Sequence, residues 1–355
     1  MNKKLLYFNL AVDEKDTSLG FAIDWIKHVS NEFNHVDVVS LRVNSIPEFD
    51  NSINIYGLEP SNNKISKYLF FLKTVKQLIN ENNYDRCFSH MSPISVVLSY
   101  LYLKKSGIKT TLWFTHPGPK FGIKKLILYL SFLISEQVVT ASNTSFPFKG
   151  KKVNVIGHAI NFEKFNKSKT HYSFEKFLML SRISKSKNLE VGIDSFLNSR
   201  FKNFSLDIIG GPLNKNDEKY LKFLQKKYKS KNVNFLGKID HEELENLYKE
   251  YCLYVSSSNY EGNPKTVLEA LSFGCVTILS NIPNHKELVD HSKTGFIFDK
   301  KEGSLRQMFE SILNNEYDLS SISKEGFSYV QNNNSLQRSV DVEMKDYNYL
   351  LQKSR

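Results

Sequence analysis

The chain reads as an α/β protein built from two parallel-sheet domains in tandem. Short apolar runs of strand length alternate with amphipathic stretches of helix length, and this alternation stops and then restarts. The break is the polar, aperiodic segment 161–172, NFEKFNKSKTHY. A length of 355 residues is generous for one domain and ordinary for two.

In the first half, strands are expected at 5–10, 36–41, 86–89, 110–114, 137–140 and 153–156, with helices at 20–32, 67–80, 94–105 and 123–135. Ser92 and Pro93 suit the cap and first turn of the third helix. In the second half, strands are expected at 177–180, 206–209, 233–235, 253–256, 276–279 and 295–298. Helices are expected at 189–198, 216–228, 241–248, 264–273 and 285–289, and the tail 335–355 reads as a final helix. The expected domains are 1–165 and 166–334. Ligands of such sheets bind beyond the carboxyl ends of strands. The loops opening at Ser181, Gly210 and Ser257 all follow expected strands.

Composition narrows the function. With 41% hydrophobic and 24% charged residues, disorder is not the expectation. The net charge of +11 favours anionic partners such as nucleotides or acidic lipid surfaces, although a Lys- and Asn-rich composition also produces it. Nucleic acid has no motif behind it and is not an expected partner. Three scattered cysteines with no C-x-x-C pair argue against a metal or disulfide framework and for a reducing compartment, the cytoplasm. The amino-terminal apolar run is short and enters Asp13-Glu14-Lys15-Asp16, so it reads as a first strand rather than a signal peptide. No apolar run approaches the length of a spanning helix.

The richest stretch is 256–280, SSSNYEGNPKTVLEALSFGCVTILS, which reads as strand, loop, helix, strand. Pro264 near the helix start leaves first-turn N–H groups aimed at the strand end, a site for phosphate. Glu261 and Glu269 flank that turn, and carboxylates accept hydroxyls while repelling anions. A nucleotide-sugar carries both phosphates and many hydroxyls.

Arg182 and Lys187, in SRISKSKNLE, follow the first strand of the second half. A guanidinium fork and a point charge can clamp a diphosphate and stabilise it as it departs. With Lys185 beside them, a solvated basic loop is the other reading. Gly210, Gly211 and Gly237 permit close backbone approach to a ligand, or form plain turns. His116, in THPGP after strand 110–114, could bond a sugar or diphosphate or be an ordinary loop histidine; His90 and His158 have the same status. The segment 120–134, KFGIKKLILYLSFLI, with Lys120, Lys124 and Lys125, fits a membrane-interface helix or a buried helix with a basic start. No Walker loop, H-E-x-x-H, G-x-S-x-G or Cys/His cluster is present.

EGNPKTVLE resembles the E-x7-E signature of the family 4 glycosyltransferases, retaining enzymes of the GT-B fold, in which two Rossmann-like domains face each other across a cleft. SRISKSKN, DIIGGP and VNFLGKIDHEELENLY resemble further segments of that family's second domain, and IGHAINFEKF resembles the end of its first. The resemblance covers nearly all of the second domain. In the first it is carried by 18–21, His116 and the start of the linker. It implies that Arg182 and Lys187 hold the donor diphosphate, Glu269 the ribose hydroxyls and Glu261 those of the donor sugar. Asn263, Pro264, Lys265, Thr266 and Val267 would meet sugar and phosphate, with Gly210, Gly211 and Gly237 in the donor loops. His116 would face the transferred sugar, Gly20 would lie near the diphosphate, and helix 335–355 would return to the first domain. Leu19 before Gly20, Asn263 and Val276 depart from the usual pattern.

The implied reaction moves a sugar from a nucleoside-diphosphate-sugar to an acceptor hydroxyl with retention, needing no protein nucleophile, metal or other cofactor. The expected acceptor is a saccharide or lipid-linked saccharide of cell-surface polysaccharide or glycan synthesis, with contact to an anionic membrane at the inner face of the cell. A sugar-nucleotide epimerase of the same fold and a non-catalytic nucleotide-sugar-binding protein are the alternatives. The presence of Arg182, Lys187 and Glu269 together disfavours the second.

Overall fold

The structure is a computed structural model and describes residues 3–14, 22–58, 63–116, 118–157, 159–160, 175–200, 204–229, 232–239, 243–261 and 264–335. The chain divides into two compact units between His158 and Ala159. Of the expected linker and tail helix, 161–172 and 336–355 lie outside the described residues.

In the first unit, β1 (Lys4–Asn9), β2 (His35–Ser40), β3 (Ile53–Gly57), β4 (Arg86–His90), β5 (Lys109–Trp113), β6 (Gln137–Thr140) and β7 (Val153–Val155) form one parallel sheet in the order β3-β2-β1-β4-β5-β6-β7. The intervening helices are α1 (Ala22–Ser30), α2 (Lys64–Glu81), α3 (Pro93–Lys105) and α4 (Ile123–Ile134). Central strands are apolar at successive positions because both sheet faces are covered, so Leu5, Leu6, Tyr7 and Phe8 are all buried. β3 escapes a reading by pattern: it is a short edge strand in which only Ile53 is buried.

α4 forms where expected but is not the buried helix that one reading of 120–134 proposed. Only Leu128 and Ser131 of the helix are buried, while Phe121, Ile123, Leu126, Tyr129 and Leu133 are 43–85% exposed. Apolar residues run around its whole circumference. One stripe satisfies the sheet and α3, and the others stay outside.

In the second unit, β8 (Lys176–Leu180), β9 (Ser205–Ile209), β10 (Val233–Gly237), β11 (Leu253–Ser256), β12 (Val276–Ser280) and β13 (Phe296–Phe298) form a parallel sheet ordered β10-β9-β8-β11-β12-β13. α5 (Leu189–Leu197), α6 (Lys215–Lys227) and α10 (Ser304–Leu313) cover one face through Leu189, Ile193, Leu224 and Phe309. α7 (Leu244–Glu250), α8 (Lys265–Ser272) and α11 (Leu319–Asn334) cover the other through Tyr248, Val267, Leu271 and Val330. A short α9 (Pro283–Lys286) follows β12. α11 is absent from the pattern reading because 319–334 is polar and Asn/Ser-rich; α10, also absent from it, does carry Leu305, Met308, Phe309, Ile312 and Leu313 at helical spacing. Asp318, which accepts the Ser321 N–H at 3.0 Å, is the cap that marks α11.

The strand order places the site. The chain steps outward from β8 through β9 to β10, then returns to lay β11 on the other side of β8. The carboxyl ends of β8 and β11 therefore flank a topological switch point, where open α/β sheets bind ligands.

Candidate active site

The loop after β8 turns through a 3₁₀ segment, Lys185–Lys187, and Asn188 closes it in the left-handed region at φ 49°. The loop after β11 is stitched to it. Ser257 Oγ donates to the Lys187 and Asn188 carbonyls at 3.2 and 2.8 Å, and the Asn259 N–H donates to the Ser186 carbonyl at 2.9 Å. This brings together two residues 74 positions apart: Lys187 Nζ lies 2.6 Å from both carboxylate oxygens of Glu261. The two side chains are 16% and 10% exposed, so the pair is shielded from bulk water.

Behind Glu261 stands a chain of polar side chains that sequence reasoning did not single out. Ser258 Oγ donates to Glu261 Oε1 at 2.5 Å, and Ser280 Oγ to the Ser258 carbonyl at 2.6 Å. His285 Nδ1 lies 2.9 Å from the Ser280 carbonyl. Burial pushes the His285 pKa down to about 4, so the ring is neutral at physiological pH and donates through Nδ1. The run Ser256-Ser257-Ser258 after a strand was the visible signal, but serines are common in loops. The same loops line a cavity of about 640 Å³ bordered by Asn188, Ser257, Ser280, Lys300 and Arg306.

Glu269 belongs to a separate cluster between α7 and α8. It is 2% exposed, accepts the Tyr248 hydroxyl at 3.1 Å and lies 3.6 Å from Lys265 Nζ. Burial raises its carboxyl above the usual range, with Lys265 and Tyr248 opposing the shift. At the start of α8, Pro264 is the cap and has no N–H, and the Val267 N–H already donates to the Pro264 carbonyl at 3.0 Å. This accounts for two of the expected positions, since Pro264 has no N–H to give and that of Val267 is engaged within the helix. Asn263 lies outside the described residues.

Gly210 has φ +136°, and a Cβ there would sit 1.8 Å from the Ser181 carbonyl oxygen. Its N–H donates to the Gly237 carbonyl at 2.7 Å, and the Gly211 carbonyl accepts the Ile183 N–H at 3.1 Å. These glycines stack the loops after β8, β9 and β10 against one another, which positions the Arg182 loop. Arg182 itself is exposed and makes no ion pair among the described residues.

In the first unit, His116 is exposed just beyond β5. Gly20 and His158 lie outside the described residues. His90 is not a loop histidine: it ends β4, is 1% exposed, and its ring centroid lies 5.8 Å from that of Trp25 and 6.4 Å from those of Trp113 and Tyr7. Burial depresses its pKa to about 3.

Two Rossmann-like parallel-sheet units in tandem are the architecture of the GT-B fold, and the second carries a shielded cation–carboxylate pair at its switch point. Residues 161–328 match the family model described as Glycosyl transferases group 1. An uncharacterized glycosyltransferase of Haemophilus influenzae is 25% identical over 313 residues, spanning 84% of this chain and 86% of its own. The sucrose-phosphate synthase of Thermosynechococcus elongatus superposes with a TM-score of 0.78 at 14% identity, over 99% of this chain and 100% of that one. Anabaena Alr3699/HepE, solved in complex with UDP, gives a TM-score of 0.75 at 13% identity, over 97% and 100%. At such identities the structural likeness establishes the fold.

Proposed function

We propose that this chain is a retaining glycosyltransferase using a nucleoside-diphosphate-sugar, with the nucleotide held by the second unit. The observation that carries the reading is the meeting of Lys187 and Glu261 at the switch point. A donor needs a cation for its diphosphate and a carboxylate for its hydroxyls, and these loops supply both within one contact distance. The UDP complex of the Anabaena protein supports a nucleotide donor.

In the proposed step the bond between sugar C1 and the phosphate oxygen breaks, and its electron pair stays with the nucleoside diphosphate. Lys187 and Arg182 stabilise that charge, in place of a divalent metal. The acceptor hydroxyl forms the new bond to C1 on the same face and gives its proton to the departing phosphate. Glu269 takes the ribose hydroxyls and Glu261 those of the sugar.

The exposed face of α4 supports an acceptor at an anionic lipid surface. Residues 117–152 contain six lysines and one glutamate, a net +5, around the exposed Phe121, Ile123, Leu126 and Leu133. Aromatic and aliphatic side chains enter the headgroup boundary while lysines meet acidic lipid. Among the described residues no helix is long and apolar enough to cross a membrane.

The test begins with a thermal-shift screen of nucleoside diphosphates and their sugars. The stabilising donor is then incubated with and without saccharide acceptors, and the product's anomeric configuration is read by NMR. A glycoside with the donor's configuration supports the proposal. An inverted product refutes retention, and a new sugar nucleotide formed without acceptor establishes an epimerase instead.

A further inference from the structure

We infer that Glu261 is a built-in competitor for Lys187, which makes recognition of the donor's sugar conditional on capture of its diphosphate. The inference rests on the transferase reading and adds to it two opposed states of one residue pair. Both oxygens of the Glu261 carboxylate take a 2.6 Å contact from Lys187, and Oε1 takes a further one from Ser258 at 2.5 Å. A carboxylate engaged in this way has little capacity left for sugar hydroxyls. A diphosphate brought to Lys187 meets a like charge at hydrogen-bond range, where side chains 16% and 10% exposed are poorly screened. Two anions compete for one ammonium. When the diphosphate prevails, Lys187 changes partner, and the lone pairs of Glu261 come free beside the sugar that the diphosphate carries.

Ser258 is the positioning residue of this exchange. Its hydroxyl reaches Oε1 independently of Lys187, and its backbone is fixed by Ser280 and, through Ser280, by His285. Ser258, Ser280 and His285 are 2%, 1% and 0% exposed, so the anchor is part of the core. The carboxylate stays tethered when the lysine leaves. The rival arrangement is sharing, in which Lys187 spends one N–H on each anion and Glu261 helps to aim it.

Calorimetry separates the two. UDP, GDP, ADP and dTDP are titrated into the wild-type protein and into Glu261→Gln, which keeps the side chain's shape and an oxygen for Ser258. Competition predicts that the preferred diphosphate binds the Gln variant roughly three- to tenfold tighter, because the competing charge is gone. The variant also loses the added affinity that the wild type shows for the matching glucose, galactose or N-acetylglucosamine conjugate. Ser258→Ala leaves diphosphate affinity unchanged but lowers the preference for the conjugate, and Ser258→Thr restores it. Equal or weaker diphosphate binding by Glu261→Gln overturns the competition and leaves a shared lysine, with the transferase reading intact. If none of the four diphosphates binds either protein, the transferase reading falls and the inference with it.

Discussion

Lys187 and Glu261 are 74 residues apart in sequence and 2.6 Å apart in space, joined where the loops after β8 and β11 flank the switch point. The sheet order creates this proximity. β8 and β11 are adjacent although two strands and three helices intervene, and Ser257 locks the loops together by capping the carbonyls of Lys187 and Asn188.

Removing the cation tests the clamp directly. Lys187→Ala lowers turnover on the order of 100-fold or more, while Lys185→Ala, exposed on the same 3₁₀ turn, stays within about twofold. Lys187→Ala also leaves the Glu261 charge without its counter-ion, at a cost of about 3 kcal/mol read as a lower urea midpoint. Equal kinetic effects of the two variants would remove Lys187 from the diphosphate site.

Glu269 carries a pH signature. Burial raises its folded-state pKa, so folding holds this carboxyl protonated to higher pH than the unfolded chain does. Its contribution to stability is therefore fully present below the ordinary glutamate range near pH 4.5 and is lost as pH rises through the raised value. Glu269→Gln removes the desolvated charge. The variant melts roughly 2 °C or more above wild type at pH 7, and this advantage vanishes as pH falls to the acid end of the window. Nucleotide affinity drops in the same variant. A melting advantage independent of pH would refute the assignment.

The glycines separate packing from ligand contact. Gly210→Ala forces a Cβ onto the Ser181 carbonyl oxygen and costs at least about 3 kcal/mol. At Gly237, φ is +80° but a Cβ meets nothing within 4 Å, so Gly237→Ala costs only about 1–2 kcal/mol of backbone strain. Urea unfolding of the two variants gives the comparison.

α4 predicts a lipid dependence. Phe121→Ser with Leu126→Ser reduces sedimentation with phosphatidylglycerol vesicles about tenfold or more, and raised salt weakens the wild type as well. Transfer to a soluble acceptor is unchanged. Wild-type protein that neither sediments nor responds to salt excludes this surface as a membrane contact.

The fold was largely legible from local pattern. Strand runs such as 253–256 and 137–140 coincide with β11 and β6, because a strand covered on both faces is buried at every position and favours successive apolar residues. The failures have local causes in two cases: β3 is a half-exposed edge and α11 is too polar for periodicity to reveal it, whereas α10 does hold Leu305, Met308, Phe309, Ile312 and Leu313 at helical spacing. Candidate residues were legible by type, since Lys187 and Glu261 stood out as a cation and a carboxylate in loops after strands. Their pairing was not, and neither were Ser258, Ser280 and His285, which act only through neighbours that the sheet brings to them.

Spacing of apolar residues was thus enough to establish two α/β domains, because helix and strand periods are local properties of the chain, while the residues around 261–269 suggested a sugar-nucleotide enzyme through their resemblance to a family motif. Tertiary structure alone decided that Glu261 rests on Lys187, that Gly210 is needed against Ser181, that His90 is sealed among aromatic rings and that α4 turns an apolar face outward. Each of these depends on which distant strand lies alongside, and on how much surface the finished sheets have left to cover.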